Sequence, residues 1–165
     1  MTTATTTTTS SATQPADRIL IIERLFDAPR ELVWKAWTQP EHMAKWLGPK
    51  EFSGEIIKMD IRPGGSYRFR MRGPDGIDHW NQGVYREIKE PERLVYTFAW
   101  ADAHGNQTRP ETVLTLTFAE EGRRTRFTLH QAVFPNVDAC NEHRSGWTSS
   151  LERLAEILRT SGASS

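Results

Sequence analysis

Few residues of this sequence are spaced for catalytic chemistry. Cys140 and His143 lie three positions apart in a segment with helical periodicity, so they share one face and could form a nucleophile and its base. A third group to orient the base is not evident, and a free cysteine is commonly a small buried hydrophobic residue. The sequence therefore favours a structural role for this pair and predicts no catalytic residue.

The sequence also lacks the usual patterns of metal and phosphate sites. Its five histidines show no HExxH or other ligand spacing. A single cysteine excludes an internal disulfide and a cysteine-based zinc site. Gly64-Gly65-Ser66 has the composition of a hairpin turn rather than of a nucleophile elbow. We therefore predict neither a metal nor an organic cofactor. The histidines are His42, His79, His104, His130 and His143.

Charge and hydropathy restrict the classes of partner. The 21 basic and 21 acidic residues cancel, so no net field attracts a nucleic acid or an anionic membrane. No stretch approaches the ~20 apolar residues that cross a bilayer. One cysteine is typical of a reducing compartment. We expect a soluble cytoplasmic protein that binds neither nucleic acid nor membrane.

The chain divides into one domain and two short ends. Residues 1–16 are mainly Thr, Ser and Ala and have neither the charged nor the apolar region of a secretory signal, which predicts a disordered leader. Residues 17–160 have the length of one ordinary domain. Residues 161–165 are expected to fray.

The periodicity changes twice along the domain. A β-rich run over 18–26 precedes two short helical segments, which end before Gly48-Pro49. From 51 to about 133 the period becomes two, and five turn signals separate six candidate strands. After Asn136 the helical period returns, with an apolar stripe. The stripe consists of Trp147, Leu151, Leu154 and Leu158.

This order of elements predicts an α+β domain with one covered sheet face. Apolar and polar residues alternate along most strands, as in an antiparallel sheet with one side in water. One strand is ambiguous, because Asn81, Gly83 and Tyr85 compete with Trp80, Gln82 and Val84 for the inner face. The last helix is the natural cover for the apolar face.

Several short motifs, in order, resemble a known family over about 18–159. They are Leu25-Phe26-Asp27-Ala28-Pro29-Arg30-Glu31-Leu32-Val33-Trp34, Trp37-Thr38-Gln39-Pro40-Glu41-His42, Trp46-Leu47-Gly48-Pro49, Arg62-Pro63-Gly64-Gly65, Gly83-Val84-Tyr85, Pro91-Glu92-Arg93-Leu94-Val95-Tyr96 and Gly146-Trp147 with Leu151, Leu154 and Ala155. The family is named for the C-terminal domain of the heat-shock-protein-90 ATPase activator and belongs to the START-like (SRPBCC) superfamily. The resemblance implies a helix-grip fold, in which a seven-stranded curved antiparallel sheet wraps around a long C-terminal helix, and two short helices follow the first strand.

The resemblance also implies a cavity between the inner sheet face and the last helix. Aromatic and apolar residues of the surrounding elements are candidates for binding a ligand there. These candidates are Trp46, Phe69, Met71, Trp80, Tyr85, Tyr96, Phe98, Trp100, Leu116, Phe127, His143, Trp147 and Leu151. Further polar candidates are His79, Gln131 and Ser150.

Three functions follow from the resemblance and stay open on the sequence. The first is a binding protein that sequesters, senses or carries a small hydrophobic or aromatic molecule. The second is a co-chaperone-type interaction module of the stress response, and the third is a cofactor-free enzyme of the cyclase or hydratase kind.

The row Arg68, Arg70 and Arg72 could bind an acidic partner, although exposed alternate strand positions are usually just solvated. We expect a monomer or a weak homodimer.

Overall fold

The computed structural model describes residues 15–163. A short 3-10 helix, Pro15–Arg18, leads into the domain. The remaining elements are Leu20–Phe26 (β1), Arg30–Thr38 (α1), Pro40–Met43 (α2), Ser53–Met59 (β2), Ser66–Arg72 (β3), Asp78–Lys89 (β4), Arg93–Ala101 (β5), Thr112–Glu121 (β6), Arg124–Ala132 (β7) and Val137–Ala163 (α3). Residues 1–14 of the predicted leader lie outside the described residues. The predicted fraying after residue 160 stays a prediction, since α3 is described to Ala163.

All seven strands form one antiparallel sheet in the order β1-β7-β6-β5-β4-β3-β2. Consecutive strands from β2 to β7 are neighbours, as in a meander, and β1 closes the far edge by pairing with β7. The predicted fold is confirmed, including the six strands from β2 to β7 and the two short helices after the first strand. The five predicted turns fall between the strands that they were expected to connect.

The sheet bends where β4 pairs with β5. Gly83 is required there, because a Cβ atom on it would lie 1.9 Å from the carbonyl oxygen of Thr97. The register between the two strands shifts after Tyr85, which indicates a β-bulge, and bulges bend the strand that contains them. Tyr67 donates its hydroxyl hydrogen to the same Thr97 oxygen at 2.8 Å. Close approach at Gly83 therefore fixes the curvature beside the inner face.

The long helix α3 covers only part of that face. The side chain of Asn136 caps it by accepting a hydrogen bond from the backbone amide of Ala139 at 2.8 Å. Leu151, Leu154 and Leu158 are buried, as the apolar stripe predicts. The helix backbone approaches β1, α1 and the 3-10 helix. Space therefore remains between its first half and strands β3 to β5.

The outer face of the sheet contains the row of arginines, and each has partners within the chain. Arg68 lies over the ring of Trp80, 4.3 Å from its centroid, and donates to the carbonyl oxygens of Asp102 and Ala103 at 3.0 Å. Salt bridges join Arg70 to Glu55 and Arg72 to Asp78. These arginines hold strands and a loop together. None of the helices between residues 15 and 163 has the length and apolar character to cross a membrane.

Candidate functional site

A cavity of about 460 Å³ lies between the inner face of the sheet and the first half of α3. This volume is within the range of small-molecule sites, which is roughly 300 to 1,000 Å³. Its sheet wall consists of Phe69, Met71, Asp78, His79, Trp80, Asn81, Tyr96, Phe98, Trp100 and Ala101. The opposite wall consists of Glu142, His143, Gly146, Trp147 and Ser150 of α3. The end of α2 and two loops complete the lining with Met43, Leu47, Gly48, Pro49, Phe52, Thr108 and Arg109.

Eight of the thirteen predicted ligand-binding residues line this cavity. They are Phe69, Met71, Trp80, Tyr96, Phe98, Trp100, His143 and Trp147. Binding by these residues stays a prediction, but the fold does bring them together. His79 and Ser150 from the additional polar candidates also line the cavity, whereas Gln131 does not.

Five predicted residues lie elsewhere, in the packed core, and the prediction of the lining needs correction for them. They are Trp46, Tyr85, Leu116, Phe127 and Leu151, and each is at most 2% exposed. The ring of Trp37 contacts both Trp46 and Phe127, with centroid distances of 4.5 and 5.3 Å. Tyr85 instead packs against Tyr67 and Tyr96. Residue type identified the inner face, but the helices decide which part of that face is filled.

Trp80 borders the cavity from the other side of the sheet. Asn81 and Tyr85 are buried on the inner face, and side chains alternate along a strand, so the ring of Trp80 must point outward. Its contacts with Arg68 and Arg70 agree with that orientation. The structure thus resolves the ambiguous strand in favour of Asn81, Gly83 and Tyr85. The sequence left the face of Trp80 open; the residue borders the cavity, but its ring lies on the outer face of the sheet.

The half-buried His143 is held at the edge of the cavity by aromatic groups. The indole Nε1 of Trp100 donates a hydrogen bond to Nε2 of His143 at 2.8 Å. The rings of Phe98 and Phe134 contact the imidazole. Burial lowers the pKa of His143 from its ordinary 6.5 to about 4, and the positive charge of Arg109 adds to this effect. A neutral imidazole is the form that accepts the hydrogen bond from Trp100.

A second polar chain supports the wall formed by α3. Trp147 donates from its indole Nε1 to Oε1 of the fully buried Gln131 at 2.8 Å, and Nε2 of Gln131 donates to the hydroxyl of Thr112 at 2.8 Å. Each polar end of Gln131 therefore has a partner, which explains how this amide is stabilised in the core. Its position is structural, and it orients Trp147 toward the cavity.

The loop wall of the cavity is fastened to α3 by Arg153, which the sequence did not indicate. Nη1 of Arg153 lies 2.9 to 3.1 Å from the carbonyl oxygens of Gly48, Pro49 and Phe52. The hydroxyl of Ser149 accepts a hydrogen bond from the backbone amide of Lys50 at 2.7 Å. In the sequence, Arg153 looks like any polar residue on the exposed face of a helix. Only its contacts with the loop distinguish it, so no sequence pattern could identify it.

The arrangement offers little for nucleophilic or metal chemistry. Cys140 is 1% exposed and lies outside the cavity lining, while His143 is engaged by Trp100. Within residues 15–163, no group of three or more His, Cys, Asp or Glu side chains is arranged to hold a metal ion.

Comparison with known proteins identifies relatives of the same fold. A protein from Chromobacterium violaceum is 29% identical, with a TM-score of 0.77 over 86% of this chain and 96% of its own. A Nitrosomonas europaea protein is 26% identical, with a TM-score of 0.74 over 90% of this chain and 98% of its own. The AHSA1 protein of Silicibacter pomeroyi is 22% identical and shares the fold, with a TM-score of 0.77 over 87% and 99% of the two chains.

No relative among proteins with curated functions matches the chain. The model of the family described as activator of Hsp90 ATPase homolog 1-like protein matches residues 27–159, which include the cavity and every strand from β2 to β7. The chain therefore belongs to this family.

Proposed function

We propose that this protein binds a small, mainly apolar or aromatic molecule in the cavity between the sheet and α3. The observation that carries the proposal is a volume of about 460 Å³ with aromatic walls, which the protein's own side chains leave unfilled. Protein interiors are otherwise close-packed, so unfilled apolar volume forfeits stabilising contacts. A ligand of matching shape would recover those contacts.

Several observations favour binding over catalysis. Proton transfer requires convergent ionisable groups with pKa values matched to the reaction. His143 is a neutral acceptor for Trp100, and its pKa of about 4 makes it a weak base. The side chains of Arg109 and Glu142 are 60% and 70% exposed at the mouth. The cavity is thus better suited to recognition by shape and stacking.

The family name raises a co-chaperone function as the alternative. A chaperone-binding surface is expected to expose a contiguous apolar patch. The exposed large apolar residues among those described are spread over several elements, for example Ile21 and Leu25 on β1, Ile57 on β2 and Val137 on α3. The arginines of the outer face are paired within the chain. We therefore rank ligand binding first and place it in the cytoplasm, since one buried free cysteine fits a reducing compartment.

Tryptophan fluorescence and amide-shift titration against a panel of aromatic and fatty-acyl compounds test the proposal. A ligand of about 20 heavy atoms at ~0.3 kcal/mol per atom would bind with ~6 kcal/mol, which corresponds to tens of micromolar. We expect saturable shifts at Trp100, Trp147 and their neighbours. A panel in which no compound binds would contradict the proposal and favour the interaction module.

A blocking variant connects binding to the cavity. Gly146 lines the cavity from α3, so Gly146→Leu should occupy part of the volume and weaken binding at least about tenfold. Thr148→Leu adds a similar side chain at an exposed position of the same helix and should leave binding unchanged. Equal affinities of the two variants would place the ligand outside the cavity.

A further inference from the structure

Three uncharged polar side chains open onto the interior of the cavity. Asn81 is 2% exposed, and Tyr96 and Ser150 are each 4% exposed. Between residues 15 and 163, no hydrogen-bond partner reaches these three side chains. The indole nitrogen of Trp37 is also unpartnered, but it is fully buried, whereas the polar atoms of these three side chains are not. They are therefore available to a group that enters the cavity.

The ionisable residues of the lining lie at the mouth and are largely occupied. Arg109 faces Glu142 across 3.9 Å, and both side chains are mostly exposed. Asp78 accepts two hydrogen bonds from Arg72, at 2.6 and 3.1 Å. His79 is exposed. Asp78, Arg109 and Glu142 therefore each already have a partner of opposite charge within the chain.

The two ionisable groups farther inside are uncharged near neutral pH. His143 accepts a hydrogen bond from Trp100, and burial holds its pKa at about 4. Burial also raises the pKa of Tyr96, so its phenol keeps its proton. An ion in the cavity would lose its hydration and would find only charges at the mouth that already have partners, whereas an amide or a hydroxyl would find neutral hydrogen-bond partners.

We propose that the ligand of this cavity is uncharged at its buried end and carries an amide, carbonyl or hydroxyl group there, on an aromatic or alicyclic frame. Asn81 and Tyr96 are the residues that select this group. The amide of Asn81 can donate and accept, so it recognises either polarity, and the phenol of Tyr96 provides a second donor. This inference rests on the proposed function and specifies its ligand class.

A matched pair of probes tests the charge selectivity. The neutral para-phenylbenzamide and the anionic para-phenylbenzoate have nearly the same shape and differ by one charge. At neutral pH we expect the amide to bind at least about tenfold more tightly to the intact protein, because the carboxylate would be buried without a partner. Amide-shift changes along β3 to β5 locate each probe.

Variants of the polar residues test the assignment. Asn81→Leu and Tyr96→Phe should each weaken para-phenylbenzamide about fivefold to tenfold, while binding of the apolar para-phenyltoluene stays equal or becomes tighter. Tyr85→Phe is the matched control. It removes a hydroxyl from the same tyrosine cluster, but the structure places Tyr85 outside the cavity, so the affinity should not change. Folding of each variant is checked by its amide spectrum.

The outcomes separate the two proposals. If para-phenylbenzoate binds in the cavity as tightly as the amide, the inference of an uncharged ligand is wrong, and the proposed binding function stands. If both probes bind but neither Asn81→Leu nor Tyr96→Phe alters the preference for the amide, the assignment of these residues is wrong. If neither the probes nor the broader panel binds, the proposed function fails and the inference fails with it.

Discussion

The two ends of the inner sheet face are built from similar residues but are covered differently. At the end formed by β1, β6 and β7, Phe127 contacts the rings of Phe26, Trp37 and Phe118. At the end formed by β3 to β5, Phe98 contacts the rings of Trp100 and His143 and also lines the cavity. The first end is filled by α1 and the second half of α3, and the second end is left open.

This difference shows how the fold separates stability from binding. The packed end gains the contacts that hold the sheet on its helices. The open end retains apolar surface that a ligand can cover, at the expense of dispersion contacts that a filled core would make. The loop anchored by Arg153 and the curvature at Gly83 keep the cavity open, although no side chain fills it.

The largest expected effect separates the two ends directly. Phe127→Ala should lower the free energy of unfolding by about 3 to 5 kcal/mol, because the ring is surrounded and the site can collapse only partly. Phe98→Ala should lower it by about 2 kcal/mol, since one side of that ring already faces unfilled volume. Urea denaturation of both variants provides the measurement.

Ligand affinity provides the counterpart to this comparison. Phe98→Ala should change the affinity for aromatic probes, whereas folded Phe127→Ala should retain it, because Phe127 lies outside the lining. Equal losses of stability at the two positions would mean that the open end is as closely packed as the other.

The fold was largely predictable because local signals and hydrophobic pattern agree along the chain. The five turn sequences, the period of two between them and the stripe of α3 each indicate the same element that the structure contains. The family resemblance added the strand order and the grip of the sheet on the helix. Asn81 and Trp80 were less certain because a bulge follows in the same strand, and alternation alone could not determine which face was buried.

The cavity was only partly predictable, for a physical reason. Sequence alternation identifies which residues point inward, but the space above them depends on the path of the helices. The path of α3 near β1 fills the volume over Phe127 and leaves it open over Phe69 and Phe98. The loop wall at Pro49 and Phe52 depends on the long-range contact with Arg153, which no local pattern encodes.

The next effect concerns the pH dependence of the open end. The folded pKa of His143, about 4, is below its ordinary value of 6.5, so the unfolded chain binds a proton first as the pH falls. Stability from this group is therefore intact above pH 6.5 and is lost toward pH 4, by up to about 3 kcal/mol. Once Nε2 of His143 is protonated, it can no longer accept the hydrogen bond from Trp100.

His143→Gln isolates this contribution, since an amide oxygen can still accept from Trp100 but does not titrate in this range. Subtracting its stability profile from that of the wild type should leave a slope between pH 6.5 and 4. Carboxyl groups such as Asp78 and Glu121 are present in both proteins, so their contributions cancel in the difference. Parallel profiles would indicate that the imidazole is solvated and that the open end is loosely packed around it.

The smallest expected effect has the opposite sign and sharpens the comparison most. Gly146 lies within α3, where glycine is less favourable than alanine by about 0.5 to 1 kcal/mol. A Cβ atom there would meet nothing nearer than Pro49 at 3.9 Å, so packing does not require glycine. Gly146→Ala should therefore raise the free energy of unfolding by up to about 1 kcal/mol. Because the added methyl group lies on the cavity wall, it should also weaken the binding of the bulkiest probes. A gain in stability without any change in binding would mean that Gly146 does not limit the volume available to the ligand.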